Sequence, residues 1–348
     1  MFTLCLTYVN FYSSLKPIQK ILIIRFSAIG DIILTTPVIR AVKKRYPQAD
    51  LHYLTKKQYV DLVKHSPYVS KVIAFDPENT SLLSLILQLR QEKYDWIIDI
   101  HKNIRSKLIR HLLFAKRKSS YSKGYWRRFL LIRFKYKSSA PFLHVIDKYF
   151  AAIKKHGVNN DQQGTEVFYP TAIEKEIKKI FSLSGNEIVA ICPGASYFTK
   201  RWTRDGFEEV GQMLMKEGKK VVYLGAENEK ELCEGLAHAT GAVSLAGKLN
   251  LLEAACVLQR SSFAITNDSG LMHLAESQNT PVISIFGATV PELGFAPFLS
   301  KSRIIQHREL KCRPCHGKGK RYCPKKHFDC MEKNDKKQLF KEVFGLFE

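Results

Sequence analysis

The sequence lacks any run approaching the roughly 18 apolar residues that a membrane-spanning helix needs, which excludes a helical integral membrane protein. It contains no G-x-G-x-x-G and no G-x-x-x-x-G-K-[ST], so a dinucleotide dehydrogenase and a P-loop NTPase both lose their main support. It has no D-x-D either, so a divalent metal held by paired carboxylates on a diphosphate is not expected. Acidic residues are scarce. The 32 Asp and Glu against 55 Lys and Arg leave a formal net charge of +23, which points to a polyanionic partner or an anionic surface without distinguishing nucleic acid, phospholipid and lipopolysaccharide. The opening Met1 to Leu15 is mildly apolar, but its first cation, Lys16, follows the apolar stretch and no small-residue cleavage site comes after it. Residues 1–17 therefore read as an N-terminal extension and not as a signal peptide.

What is present is 348 residues, 45% of them hydrophobic, enough for two domains with sizeable cores. Ile21-Leu-Ile-Ile-Arg25 is a continuous apolar run of the kind found in a parallel sheet covered on both faces. A loop entering a helix follows, over Phe26 to Arg45. Strands are expected at 51–54, 71–75 and 96–100, with helices near 57–65 and 82–91. A polar, turn-rich stretch at 157–164 interrupts the series. A second series opens with a helix at 172–183 and continues with strands at 188–192, 221–224, 263–266 and 281–286. The domain boundary falls near 157–171, giving a first domain over 18–165 and a second over 166–348, both α/β. At the end, Asp335 to Phe347 places Leu339, Phe340, Val343, Phe344 and Phe347 on one helical face, which should dock on a core.

Four short loops just past strand ends carry the chemistry. Ser27-Ala-Ile-Gly-Asp31 puts a carboxylate beside the expected crevice, where it could also serve simply as a helix N-terminal acid. Pro193-Gly-Ala-Ser-Tyr-Phe-Thr-Lys-Arg-Trp202 combines Gly194, hydroxyl residues including Ser196, and the cations Lys200 and Arg201, a setting suited to phosphate oxygens. Leu224-Gly-Ala-Glu227 places a carboxylate where acids often take ribose hydroxyls. Thr266-Asn-Asp-Ser-Gly-Leu-Met-His-Leu-Ala275 starts a helix at about Ser269, so the backbone N–H groups of Ser269, Gly270 and Leu271 can face a phosphate. Asp268 precedes them, suited to a sugar hydroxyl or to orienting the loop. His273 lies four residues after Ser269 on the same face, although a lone histidine is more often an ordinary half-buried one.

In their order and spacing these loops resemble glycosyltransferase family 9, the heptosyltransferases that build the inner core of bacterial lipopolysaccharide. The resemblance runs from about Lys20 to the C-terminus. It implies a GT-B fold, two Rossmann-like domains facing each other across a cleft, with acceptor in the first and nucleotide sugar in the second. By matching position Asp31 would be the general base, with Ser27 lining its pocket. Ser196 and Lys200 would hold the diphosphate and Glu227 the ribose. Asp268, Ser269, Gly270 and His273 would hold the donor sugar and phosphates. Ala28 stands where many relatives carry a second hydroxyl residue. The resemblance further implies an inverting transfer of heptose from ADP-heptose to a lipid A–Kdo type acceptor, with no catalytic cofactor, by an enzyme peripheral to the cytoplasmic face of the inner membrane. Another nucleotide sugar on the same fold is the alternative within this class.

Residues 101–146 hold thirteen Lys or Arg and no Asp or Glu, with Tyr121, Tyr125, Trp126 and Phe129 interleaved, a mixture suited to an anionic membrane interface. Of eight cysteines, four form Cys312-x2-Cys315-x7-Cys323-x6-Cys330. That spacing reads as a structural Zn²⁺ knuckle in a reducing compartment, as disulfides in an oxidising one, or as free thiols, with His316 and His327 as substitute ligands. The +23 charge and the cysteines together also allow a different class, a non-enzymatic zinc-knuckle protein binding nucleic acid, but no nucleic-acid motif accompanies them, so no specific nucleic-acid partner is expected.

Overall fold

The structure, a computed structural model, describes residues 17–136, 142–180, 188–334 and 336–345. The N-terminal extension proper, Asp335 and Phe347 lie outside the described residues.

The first domain runs β1 (Lys20–Ile24), α1 (Ile29–Ile33), α2 (Thr36–Arg45), β2 (Asp50–Lys56), α3 (Asp61–Lys64), β3 (Lys71–Phe75), α4 (Leu82–Gln91), β4 (Trp96–Asp99), α5 (Ile104–Leu112), β5 (Arg117–Ser120), α6 (Tyr125–Phe134) and α7 (Val145–Ile153). Its five strands are all parallel, in the order β3-β2-β1-β4-β5. Helices cover both faces, which is why Ile21 to Ile24 and Trp96 to Ile98 are fully buried.

The second domain runs α8 (Thr171–Ile180), β6 (Ile188–Cys192), α9 (Arg204–Lys216), β7 (Lys220–Tyr223), α10 (Lys230–Thr240), β8 (Val243–Ser244), α11 (Leu251–Gln259), β9 (Ser261–Asn267), α12 (Gly270–Glu276), β10 (Val282–Phe286), β11 (Arg303–Gln306), α13 (Asp329–Glu332) and α14 (Lys336–Phe344). Its six parallel strands lie in the order β11-β10-β9-β6-β7-β8. Counted within the domain this is the 3-2-1-4-5-6 Rossmann order, and the pair of sheets is the expected GT-B architecture.

In both sheets the chain reverses direction beside its first strand, between β1 and β4 and between β6 and β9. Ligands of doubly wound sheets bind outside the carboxyl ends of the strands at that switch point. The loops after β1 and β4, and those after β6 and β9, therefore border the two crevices.

The two sheets are joined through residues 154–170, which hold no regular element beyond one 3₁₀ turn, Lys154–His156. Arg40 on α2, 2% exposed, anchors this crossing with ion pairs to Asp161 at 2.7 Å and Glu166 at 2.8 Å. The Gln278 amide donates to the Val167 carbonyl at 2.9 Å on the other side. The domains also meet directly at α1 and α12: a Cβ on Gly30 would lie 2.5 Å from the His273 ring, and one on Gly270 would lie 3.1 Å from Ile29.

Some expectations change. The 57–65 segment is a 3₁₀ turn, Lys57–Tyr59, followed by the single turn of α3. The strands β5, β8 and β11, unforeseen in the sequence, are all edge or near-edge strands, where polar residues are tolerated because one side faces no partner. At the C-terminus α14 buries Leu339 and Val343 in the core of the second domain, while Phe344 is exposed.

Candidate active site

Asp31 lies in the first turn of α1, and its carboxylate forms an ion pair with Arg25 at 2.7 Å. Arg25, just past β1 and 6% exposed, is held by more than this one contact. It donates to the Ser27 carbonyl at 2.9 Å, the Ile100 carbonyl at 2.6 Å and the Tyr149 hydroxyl at 3.1 Å. Burial works against a charge on Asp31, but the Arg25 guanidinium and the Ala28 N–H outweigh it and hold the carboxyl below its ordinary value. Ser27 is half-buried beside them, and the exposed Ala28 offers no hydroxyl.

The loop after β4 completes this half of the site. The Asp99 carboxylate accepts from the backbone N–H groups of His101 and Lys102 at 3.1 and 2.8 Å. The His101 ring stands edge-on to Phe26 at 5.4 Å, and burial together with Arg25 and Lys123 pushes its pKa down to about 3. Lys123 is likewise lowered, by burial, Arg25 and Lys318. Arg25, His101, Lys123 and Lys318 were not singled out from the sequence. An arginine closing an apolar strand was the one local signal for Arg25.

In the second domain, Asn267 ties two loops together. Its amide donates to the Pro193 carbonyl at 2.8 Å, and its carbonyl accepts from the Trp202 N–H at 3.0 Å. Lys200 is thereby brought to Asp268, with an ion pair of 2.8 Å, and Asp268 also accepts from the Thr289 hydroxyl at 2.7 Å. Asp268 thus orients Lys200 in this structure. No side chain caps the start of α12, where Ser269 Oγ and His273 Nδ1 are buried and have no hydrogen-bond partner among the described residues. Buried polar atoms without partners are rare and fit a site completed by a ligand. Burial pushes the His273 pKa down to about 4 against the opposing pull of Asp268 and Asp31, so its ring is neutral at physiological pH. His273 is within electrostatic reach of Asp31 on one domain and of Asp268 and Lys200 on the other.

Ser196 is exposed at the tip of its loop. The Glu227 side chain, 75% exposed, stands at the rim beside Gly247. Its neighbour Glu229 is the carboxylate that turns inward, capping the Ala226 N–H at 3.0 Å and filling the space where a Cβ on Gly194 would be.

The four cysteines expected of a zinc knuckle lie within electrostatic reach of one another. Among the described residues no three His, Cys, Asp or Glu side chains are grouped to hold a metal ion. Cys312, Cys315, Cys323 and Cys330 are free thiols. The Cys315 thiol turns to the Cys312 carbonyl at 3.2 Å, while Cys330 is buried in the core of the second domain. Burial pushes Cys315 up to about 11 and Cys330 up to about 12, so both are protonated as they stand. The donor set would suit a soft metal, and Cys312 Sγ also lies 3.8 Å from His327 Nε2.

The segment nevertheless lies at the cleft. Beside Lys200, the Lys320 carbonyl accepts from the Thr199 N–H at 3.1 Å and the Lys320 N–H donates to the Thr199 hydroxyl at 2.8 Å, while Arg128 and Lys135 of the first domain donate to the Gly317 and Pro314 carbonyls at 3.2 and 2.6 Å. Within the basic arm, Tyr121 is a core residue packed edge-on to Tyr149 at 4.9 Å, so it is not part of a surface belt. Tyr125, Trp126 and Phe129 on α6 are exposed.

A profile of glycosyltransferase family 9 (heptosyltransferase) matches residues 82–326. The chain is 27% identical over 311 residues to lipopolysaccharide heptosyltransferase 2 of Escherichia coli (strain K12), covering 83% of this chain and 88% of that protein. Among solved structures, a family 9 glycosyl transferase from Veillonella parvula DSM 2008 superposes with a TM-score of 0.79 at 20% identity, over 94% of this chain and 97% of that one. The E. coli ADP-heptose lipopolysaccharide heptosyltransferase II superposes with a TM-score of 0.73 at 21% identity, over 94% and 98%. These structural likenesses bear on the fold.

Proposed function

We propose a function from one premise: the chain belongs to glycosyltransferase family 9. On this reading it transfers heptose from ADP-heptose to a lipid A–Kdo type acceptor of the lipopolysaccharide inner core, by inversion and without a divalent metal. The observation that carries it is the pairing of two charged couples across the cleft, Arg25–Asp31 on the first domain and Lys200–Asp268 on the second, with His273 in reach of both. Membership in a family of transferases leaves the non-enzymatic nucleic-acid reading without support.

In the reaction, the acceptor hydroxyl oxygen bonds to the anomeric carbon as that carbon's bond to the diphosphate oxygen breaks on the opposite face. The hydroxyl proton passes to Asp31. Being more acidic than usual, Asp31 accepts it only as the new bond forms and the hydroxyl acidifies. The electron pair of the broken bond leaves with ADP, and Lys200 stabilises that growing charge. Asp268 keeps Lys200 aimed before the donor arrives. The neutral His273 contributes a hydrogen bond and no charge. The basic, aromatic arm, with Tyr125, Trp126 and Phe129 exposed, supports an anionic, lipid-linked acceptor and a peripheral position at the cytoplasmic face of the inner membrane.

Calorimetric titration with ADP-heptose, UDP-sugars and GDP-sugars in EDTA, repeated on Lys200→Ala, tests the donor side. The expected result is selective binding of ADP-heptose that weakens about tenfold or more in the variant, the loss of one charge-assisted contact. Binding that requires a divalent ion, or that prefers another nucleotide sugar, overturns the donor assignment.

A further inference from the structure

The helices α4 and α5 each carry two apolar stripes where one would suffice for folding. Their inner stripes, Leu85, Ile86 and Leu89 on α4 and Ile109 on α5, are buried against the first sheet together with Leu113. Their outer faces carry Leu83 and Leu87, four apart, and Ile104, Leu108 and Leu112, also four apart, all exposed, with Ile104 at 78%. Phe114, 88% exposed, ends the ridge. The two helices are joined where the Arg90 guanidinium donates to the Leu112 carbonyl at 3.2 and 3.3 Å. A helix apolar on both faces has a second burial partner, and a contiguous exposed patch of this kind marks an interaction surface.

Charge identifies the partner. Neither α4 nor α5 contains an acidic residue, while Arg90, Arg105, Lys107 and Arg110 flank the ridge. Two copies meeting through this face would oppose like charges; an anionic bilayer would satisfy both the cations and the apolar side chains. Position adds the second argument. The N-cap of α5 is Asn103, two residues after His101, whose ring lies 5.4 Å from that of Phe26, the residue that leads into Ser27 and Asp31. Ile104 is therefore at the rim of the pocket, and the ridge runs outward from there.

We propose that the α4–α5 ridge seats the protein on an anionic lipid bilayer, so that a membrane-anchored acceptor reaches Asp31 from the bilayer surface. This deepens the function proposed above and rests on its lipid-linked acceptor.

The test is co-sedimentation with vesicles of phosphatidylethanolamine and phosphatidylglycerol, and with phosphatidylcholine alone, for the wild type, for Ile104→Glu/Leu108→Glu, and for Leu83→Glu/Leu87→Glu as a second pair on the other helix. Thermal melting checks that each variant folds. The wild type should partition to anionic vesicles and keep part of that binding at about 0.5 M salt, where exposed charges are screened. Each double variant should lose about a hundredfold in partition, the contribution of two apolar side chains. Folded variants that bind like the wild type overturn the proposal, as does wild-type binding abolished by salt alone, or a wild-type dimer that the substitutions dissociate. No arm uses donor or acceptor, so ridge-dependent vesicle binding without heptosyl transfer would count against the proposed substrates and not against the surface.

Discussion

Replacing Asp31 by Asn separates the chemical role of the carboxylate from its structural one. The substitution keeps the size and one acceptor oxygen but removes the charge and the capacity to take a proton. Arg25 should hold its position in the variant, because the Ser27 and Ile100 carbonyls and the Tyr149 hydroxyl still receive its N–H groups. It does lose its counter-charge. For a fully buried pair that loss costs about 3–5 kcal/mol, but with Asp31 at 29% side-chain exposure water screens part of it, and about 1–3 kcal/mol of stability is expected. The donor side, built on Lys200 and Asp268, is not touched. Loss of general base catalysis lowers kcat by about 10²–10⁴, or roughly 3–5 kcal/mol in the barrier. The assay is steady-state release of ADP with and without acceptor, together with calorimetry of donor binding and a thermal melt. The reasoning predicts a kcat effect with donor affinity within about twofold. A folded variant retaining more than roughly a tenth of wild-type kcat would refute the assignment of the base.

The charge couple also sets the pH response. Asp31 is depressed in the folded protein, so its contribution to stability is present above the unfolded value of about 3.9 and is lost as pH falls through the lower folded one. The acid limb of kcat should accordingly lie below about pH 4, and Arg25→Met, which leaves burial without its opposing cation, should move that limb upward; a limb that stays in place would show that Arg25 does not set the Asp31 charge. With His273 held down to about 4, the profile should show no imidazole step between about pH 5 and 8, and His273→Gln should leave the profile's shape unchanged; a step near pH 6.5 that disappears in the variant would contradict this. Gly30→Ala places a Cβ 2.5 Å from the His273 ring, and the resulting overpacking should cost about 1–3 kcal/mol of stability and lower kcat by parting the two domains; a melt and a rate equal to the wild type would mean that the domains do not close on this contact.

How much of this was legible in the sequence follows from the range over which each feature is determined. The central strands announce themselves, since both faces of Ile21–Ile24 and Ile188–Cys192 are covered and every side chain must be apolar. The edge strand Arg117-Lys-Ser-Ser120 has no apolar residue, and only its register against Trp96–Asp99 makes it a strand. The site divides in the same way. Loops past strand ends are local, so the chain itself offers Asp31, Lys200, Asp268 and His273 as candidates. The residues that set their electrostatics could not. Arg25 acquires its role from Tyr149, 124 positions away, and Lys318 reaches Lys123 through a segment that joins both domains only after folding. The sequence singled out Glu227; it could not show that the 3₁₀ turn points the neighbouring Glu229 back at the Ala226 N–H and leaves the Glu227 side chain exposed. The cysteines make the same point. Their spacing along the chain fits a metal knuckle, but it does not show that Cys330 is set in the hydrophobic core while still within electrostatic reach of Cys312, Cys315 and Cys323. A motif therefore identifies which groups are available at a strand end, and the tertiary contacts made on folding determine which of them are charged or aimed.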